Sequence, residues 1–302
     1  MALGCNCNVG LSNTGRPNCV PLFSVVSSLI AVPMFANDGT ANGIDLNGPL
    51  PTWADLVNEA DASKRWFPIP AFENVEMPKA DSQFEEANSG RMVFLRQGKR
   101  SFSGELWADD STPTFLGKLQ ANRCVDFGVY IVDVNGNLIG SEVGGFLYPI
   151  PVDNPSWDPK FAFATDSTTQ KIMLGFDFDR LFDESTMYMI TADEAGTNFT
   201  TLKGLIDVNV LNAVEVANTS ITFNAKFDYG TALNKLLFKG ATVSDFELYN
   251  NDTATVETIG ALVENLPTEG NYTLSFAFVS GDSYTLSVVK TGFTASYTFT
   301  AI

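Results

Sequence analysis

The feature that most constrains the fold is a series of short runs in which apolar and polar residues alternate. Between Thr201 and Ile302 these runs recur at intervals of about eight to twelve residues, the interval typical of a β-sandwich. Alternation with a period of two places the apolar side chains on one face of a strand, and no run here has helical spacing. We therefore predict that residues 204–302 form a separate β-sandwich of about seven or eight strands.

Residues 71–203 carry the same strand pattern. The sequence Arg91–Trp107, RMVFLRQGKRSFSGELW, predicts two strands that turn at Gln97-Gly98. The segment Phe127–Ser141 predicts a second hairpin, because Asn135-Gly136 is the pair preferred in a type I′ turn. Two further strands are predicted later, in QKIMLGFDFDRLF and in MYMITADEA.

One helix is predicted beside these strands. Thr112 followed by Pro113 is a preferred N-cap and first-turn pair, and it predicts a helix that ends near Asn122. The fold predicted for residues 71–203 is therefore a β-sandwich or half-barrel with one flanking helix. The chain as a whole is predicted to be mainly β.

Residues 1–70 are predicted to form a long, irregular N-terminal arm. Gly, Asn and Pro interrupt this region, and a loop of such length is unusual inside a compact domain. The exception is one short helix, with Thr52 as its N-cap and apolar residues at helical spacing after it. The apolar run Val20–Val32 is too short to cross a membrane. We expect it to pack on its own chain or on a neighbour, and we expect no export signal.

The charge balance and the lack of histidine exclude several classes of function. The chain has 18 basic and 35 acidic residues, a formal net charge of −17, and no histidine. The lack of histidine excludes Ser-His-Asp and Cys-His catalysis and nearly all catalytic zinc sites. The excess of acidic residues argues against a sequence-specific nucleic-acid-binding protein. It is compatible with a channel through which nucleic acid passes, because an acidic lining repels phosphate. We predict that the protein is not an enzyme.

The four cysteines leave three states open. Cys5, Cys7 and Cys19 form a C-x-C-x11-C pattern, and Cys124 stands far from them in sequence. A zinc site would need a distant fourth ligand and more often contains C-x2-C pairs. Metal and disulfide therefore stay open as alternatives, and free or interface thiols are favoured. We assign no metal, cofactor or catalytic residue to the chain.

The most basic stretch of this acidic chain is Arg91–Trp107, which contains Arg91, Arg96, Lys99 and Arg100. We predict that this stretch contacts an acidic surface of a neighbouring subunit, because complementary charge sets the register of an interface. The predicted interface residues are Arg91, Arg96, Lys99, Arg100, Phe102 and Trp107. The acidic residues considered as their partners are Glu85, Glu86, Asp109 and Asp110. The alternatives are solvated hairpin ends and direct contact with DNA.

Three motifs lie within Glu73–Glu194, namely LRQGKRSFSGEL, STPTFLGKLQANRCVDFGVYIVDVNGNLIG and KIMLGFDFD. They resemble the phage tail-tube protein family, of the kind found in phages of Bacteroidetes-type hosts. The C-terminal part, with EGNYTLSF and a later KTGF, resembles the immunoglobulin-like domains appended to many phage virion proteins.

The resemblance implies a major tail-tube subunit. In that family a β-sandwich flanked by a helix forms hexameric rings, and strands from each protomer join into one barrel around a lumen. DNA would pass through the lumen as cargo, an immunoglobulin-like domain would lie outside, and other virion proteins would be the partners.

The resemblance also implies where the protein resides, namely in the virion tail after synthesis in the host cytoplasm, without a membrane partner. The alternatives are a head fibre or decoration protein, a head–tail connector ring protein, and a carbohydrate-binding surface adhesin.

Overall fold

The computed structural model describes Gly15, residues 20–216 and residues 218–302. Cys5, Cys7 and Cys19, with the metal and disulfide alternatives at them, lie outside the described residues. Over the described residues the chain is mainly β and forms two β-sandwiches, which confirms the predicted fold class.

Residues 26–195 supply the strands and helices of the first sandwich. The strands are β1 (Val26–Pro33), β2 (Ile44–Asp45), β3 (Phe67–Ile69), β4 (Glu73–Glu76), β5 (Gln83–Glu86), β6 (Met92–Arg96), β7 (Ser101–Trp107), β8 (Phe127–Asp133), β9 (Leu138–Val143), β10 (Phe146–Tyr148), β11 (Ile150–Pro151), β12 (Asp158–Ala162), β13 (Lys171–Asp177) and β14 (Met187–Ile190). The helices are α1 (Trp53–Val57), α2 (Pro113–Ala121) and α3 (Ala192–Ala195).

Two sheets face each other in the first sandwich. The larger sheet has the order β2-β10-β9-β8-β1-β3, with β11 beside β8 and β14 beside β9, and the smaller sheet has the order β12-β13-β7-β4. The core between them includes Phe102 and Phe176, and α2 adds Leu119 to it. A second core, with Trp53 and Trp66, covers the other face of the larger sheet. The smaller sheet is therefore covered on one face only.

The structure corrects the expected N-terminal arm. Residues 26–69 are not an arm, because β1 lies inside the larger sheet, antiparallel to β8 on one side and to β3 on the other. The helix after Thr52 forms but ends at Val57. Beyond it, the carboxylate of Asp61 accepts hydrogen bonds from the backbone N–H and the hydroxyl of Ser63, at 2.9 and 2.7 Å. Such local acceptors compete with a continuing helix.

Helix α2 confirms the sequence prediction. The side chain of Thr112 accepts a hydrogen bond from the backbone N–H of Phe115 at 3.3 Å, and Pro113 occupies the first turn. The helix is fixed to the core because the indole N–H of Trp157 donates to the Leu119 carbonyl at 2.7 Å. Cys124 lies just past its end and is exposed.

The hairpin of β8 and β9 forms where predicted but with a different turn. A type I′ turn needs positive φ at both central residues, whereas Gly136 has φ 81° and Asn135 is not in the positive region. The backbone N–H of Asp133 donates to the Asn137 carbonyl at 3.1 Å, which closes a loop of three residues. The buried carboxylate of Asp133 accepts from the N–H groups of Asn135 and Asn137, both at 2.9 Å. These bonds favour the longer loop.

Residues 206–300 supply the second sandwich. Its strands are β15 (Ile206–Val216), β16 (Ser220–Gly230), β17 (Lys235–Leu237), β18 (Phe246–Asn250), β19 (Thr255–Glu257), β20 (Ala261–Glu264), β21 (Asn271–Ser275), β22 (Ser283–Val288) and β23 (Phe293–Thr300). One sheet has the order β20-β21-β16-β15 with β17 beside β16, and the other has the order β19-β18-β22-β23. A short parallel ladder between β15 and β23 joins them.

The two sandwiches meet at α2. Lys118 of this helix forms an ion pair with Asp207, Nζ to Oδ2 at 2.5 Å, and its ammonium lies 5.5 Å from the centre of the Tyr229 ring. At a second point the backbone N–H of Gly292 donates to the side chain of Asn58 at 3.1 Å. A cleft of about 740 Å³, here called the junction cleft, is lined by residues of both sandwiches beside these contacts.

Candidate assembly surface

The smaller sheet of the first sandwich has one packed face and one open face. Along β7 and β13 alternate residues point into the core and the others point outward, as a period of two requires. The outward residues, here called the open face, are Ser101, Ser103, Glu105 and Trp107 of β7, Lys171, Met173, Gly175 and Asp177 of β13, Asp158 and Lys160 of β12, and Glu73 and Glu76 of β4. Because small residues occupy its centre, this face forms a cleft of about 660 Å³.

The open face is net negative. Its carboxylates are those of Glu73, Glu76, Glu105, Asp158 and Asp177, and its ammonium groups are those of Lys160 and Lys171. Lys171 forms a salt bridge with Glu105 and lies 5.8 Å from the centre of the Trp107 ring. The hydrogen bond from Lys171 is the main reason that the pKa of Glu105 lies below its usual value. This carboxylate is therefore ionised at neutral pH.

The smaller sheet ends in two strands of unlike charge. β12 is hydrogen-bonded to β13 and β4 to β7, and neither has a second strand partner among the described residues. Backbone groups on such edges pair readily with another chain. The β4 edge carries Glu73 and Glu76. The β12 edge carries Lys160, which forms an exposed ion pair with Asp158 of the same strand, and Asp158 also pairs with Arg123, so this edge has two cations to one carboxylate. The two edges are therefore complementary between copies.

The hairpin predicted at Gln97-Gly98 is wrong. The chain continues from β6 to β7 without reversing, because β6 pairs with β5 while β7 pairs with β4 and β13. A Cβ at Gly98 would lie 1.7 Å from the carbonyl oxygen of Ala80, so this glycine permits two backbones to approach closely. The chain reverses instead near Gly90, which has φ 77°, where the N–H of Ala87 donates to the Arg91 carbonyl at 2.9 Å.

Part of the predicted basic interface is engaged within the chain. The ammonium of Lys99 contacts Asp153 at 2.6 Å and Asp177 at 2.9 Å. The guanidinium of Arg100 contacts Glu184 at 2.7 Å. These pairs tie the start of β7 to the acidic segment DFDRLFDE, so Lys99 and Arg100 are not free to contact a neighbouring subunit as predicted.

The ion pairs shift the titration of their members. The hydrogen bond from Arg100 is the main cause of the lowered pKa of Glu184. Burial by itself would raise the pKa of Asp177, but hydrogen bonds from Ser101 and Lys99 outweigh it and the pKa is lowered. The bonds to Asp153 and then Asp177 raise the pKa of Lys99. Glu184, Asp177 and Lys99 are therefore charged at neutral pH.

The other predicted interface residues divide into buried and accessible ones. Phe102 is 1% exposed, and its ring packs against Phe72 and Phe176 with centroid distances of 5.3 and 5.0 Å, so it belongs to the core and the prediction was wrong. Trp107 is 42% exposed on the open face. Arg91 and Arg96 are exposed at β6.

Sequence reasoning missed a large exposed apolar surface. β5 and β6 form a hairpin over Gln83–Arg96, here called the projecting hairpin, in which every strand residue is exposed. Its exposed fractions lie between 42 and 58% at Phe84, Met92, Val93, Phe94 and Leu95. The signal that could have found it is Ser89-Gly90, a turn pair between two short strand patterns.

No protein-family model matches the sequence, and no curated protein matches it. Within the part of the chain that the structure describes, no three Cys, Asp or Glu side chains are placed to hold a metal ion together. Of the described helices, none is long and apolar enough to cross a membrane.

Proposed function

We propose that the chain is a non-enzymatic virion structural subunit, the major tail-tube protein of a phage, and that it closes into rings around a channel for DNA. The observation that carries this proposal is the smaller sheet, which has a core on one face and an open face on the other. Among the described residues, no further strand pairs with β12 at one end of this sheet or with β4 at the other. A head-to-tail contact between unlike edges repeats from copy to copy and forms a ring when the rotation closes.

In this ring β12 of one copy lies beside β4 of the next. Lys160 then approaches Glu73 and Glu76 of the neighbouring copy, and their attraction favours the head-to-tail order over pairing of two like edges. Ring closure also removes two free strand edges, which would otherwise favour aggregation.

The open face lines the channel in this arrangement. Its carboxylates outnumber its ammonium groups, so the wall repels the phosphate backbone and DNA slides past without binding tightly. The protein then acts mechanically, and it needs no catalytic residue or cofactor.

The second sandwich is proposed to be an immunoglobulin-like domain on the outside of the tube. Its strand order supports this assignment. β15, β16, β21 and β20 follow the order A, B, E, D of that fold, and β23, β22, β18 and β19 follow the order G, F, C, C′. Residues 204–302 contain no cysteine, so such a domain would lack the usual disulfide between its sheets.

Negative-stain electron microscopy of the purified full-length chain, with its mass measured by light scattering, tests the proposal. Rings or tubes with an open channel and outer knobs are expected. A monomer or a compact trimer at high concentration would contradict it and would favour a decoration or fibre protein.

A pair of variants tests whether the β12 edge of one copy contacts the β4 edge of the next. Lys160→Glu places like charges beside β4 of the next copy and is expected to weaken ring formation. Lys239→Glu, which changes another exposed, ion-paired lysine on the second sandwich, is the matched control and is expected to leave ring formation unchanged.

A further inference from the structure

We propose that Glu184 acts as a clamp that holds the two chain segments at the root of the projecting hairpin together, and that the order of the hairpin depends on this clamp. The root consists of residues 78–80, which lead into β5, and residues 99–101, through which β6 continues into β7. The inference goes beyond the proposed function and does not depend on it, because the clamp lies within a single copy.

The projecting hairpin has little support from the rest of the chain. β5 and β6 pair with each other and with no other described strand. At the root the N–H of Ala80 donates to the Lys99 carbonyl at 2.8 Å, and the N–H of Ser101 donates to the Pro78 carbonyl at 2.9 Å. A two-stranded hairpin is only marginally stable in water. Its order therefore depends on whether the root stays closed.

Two cations face each other across the root. Lys79 and Arg100 are directly opposite partners in an antiparallel bridge, and like charges in this position destabilise strand pairing. Glu184 offsets the repulsion, because its Oε2 accepts from the Lys79 ammonium at 2.9 Å and its Oε1 accepts from the Arg100 guanidinium at 2.7 Å. Since Lys79 precedes β5 and Arg100 follows β6, one carboxylate bridges the two segments of the root.

The surroundings of Glu184 favour a strong bridge. The side chains of Lys79, Arg100 and Glu184 are only 29–31% exposed, so salt screens their attraction less than that of a fully exposed pair. The hydrogen bond from Arg100, with a smaller one from Lys79, lowers the pKa of Glu184 despite partial burial, so the carboxylate is ionised at neutral pH. A short 3-10 helix, Glu184–Thr186, holds it in place.

The third cation of the root is engaged elsewhere. Lys99 pairs with Asp153 at 2.6 Å and with Asp177 at 2.9 Å. It therefore does not compete for Glu184, and the bridge at Glu184 depends on its own two cations.

Hydrogen exchange of the full-length chain at neutral pH, followed by mass spectrometry, tests the clamp. Peptides from residues 83–96 report the hairpin, and peptides from residues 127–133 report the core of the first sandwich. Glu184→Gln is expected to speed exchange in the hairpin by about fivefold or more and to leave residues 127–133 unchanged. All variants are compared at a concentration where light scattering gives them the same mass, so that contacts between copies do not contribute.

A charge swap separates the clamp from other effects of changing Glu184. Glu184→Lys is expected to speed hairpin exchange at least as much as Glu184→Gln, because three cations then meet at the root. Adding Arg100→Glu restores opposite charges and is expected to return the exchange close to that of the unaltered chain. Asp38→Asn is the matched control, since it removes the exposed partner of Lys64 with the same change in net charge, and it should leave hairpin exchange unaltered.

Three results would overturn the inference. They are equal hairpin exchange in Glu184→Gln and the unaltered chain, an equal increase in residues 127–133, and a charge swap that fails to slow the exchange seen in Glu184→Lys. A hairpin that exchanges without protection in the unaltered chain would overturn it as well. None of these results bears on the proposed ring, which depends on contacts between copies at β4 and β12.

Discussion

Replacing Phe102 by alanine distinguishes a core residue from an interface residue. The side chain is 1% exposed and packs against the rings of Phe72 and Phe176. Loss of a buried phenylalanine side chain costs about 3–5 kcal/mol, because it leaves a cavity as well as losing apolar burial. For a sandwich of this size that loss corresponds to a melting temperature lower by about 6–20 °C.

Tryptophan fluorescence during urea unfolding is the appropriate assay. Every tryptophan of the chain, Trp53, Trp66, Trp107 and Trp157, lies in the first sandwich, so the signal reports that sandwich and not the second. The midpoint and slope of the transition then give the change in free energy of unfolding for Phe102→Ala.

Trp107→Ala is the matched control. Trp107 is 42% exposed, donates a hydrogen bond to Glu105 at 2.9 Å and lies beside the Lys171 ammonium. Contacts of this kind at an exposed site contribute about 0.5–1 kcal/mol, so the free energy of unfolding should fall by about that much. The reasoning is refuted if the free energy of unfolding of Phe102→Ala lies within about 1 kcal/mol of that of the unaltered chain while the variant fails to assemble. Phe102 would then be an interface residue and not a core residue.

Two further predictions concern the first sandwich. The lowered pKa values of Glu105, Asp177 and Glu184 mean that their contribution to stability is complete above the unfolded pKa and is lost as the pH falls through the folded pKa. The free energy of unfolding should therefore decrease as the pH falls below about 4.5. Glu184→Gln should make this decrease shallower. If the free energy of unfolding of the variant falls as steeply with pH as that of the unaltered chain, the role assigned to Glu184 is contradicted. Gly136→Ala should cost more than Gly144→Ala in urea unfolding. Both glycines have positive φ, which costs about 1–2 kcal/mol for alanine, but only at Gly136 would the new Cβ meet a side chain, 2.1 Å from Oδ1 of Asn198. Equal losses would contradict this.

The sequence correctly predicted those strands and helices that are determined by residues close together in the chain. The alternation of Ile172, Leu174 and Phe176 predicted the buried face of β13, and Thr112-Pro113 predicted the start of α2. Both follow from the period of the strand and from the geometry of helix capping, and neither needs a distant partner.

Features that depend on residues far away in the chain were not predictable from local sequence patterns. β1 looks like part of an irregular region, because the residues that make it a central strand are in β8, about 100 positions later. Gly98 resembles a glycine of a turn, but the position requires glycine because the backbone of Ala80 lies so close to it. Similarly, the ion pairs of Lys99 depend on Asp153 and on Asp177 at the end of β13, and that of Arg100 depends on Glu184 in the loop that follows β13. The basic stretch alone therefore suggested an interface.

A cryo-electron-microscopy reconstruction of the assembled particle tests the central claim most directly. The account predicts a closed ring in which β12 of each copy lies beside β4 of the next, with Ser103, Glu105 and Met173 facing an open channel. A ring closed through other strands, or one with these residues on its outer surface, would contradict it.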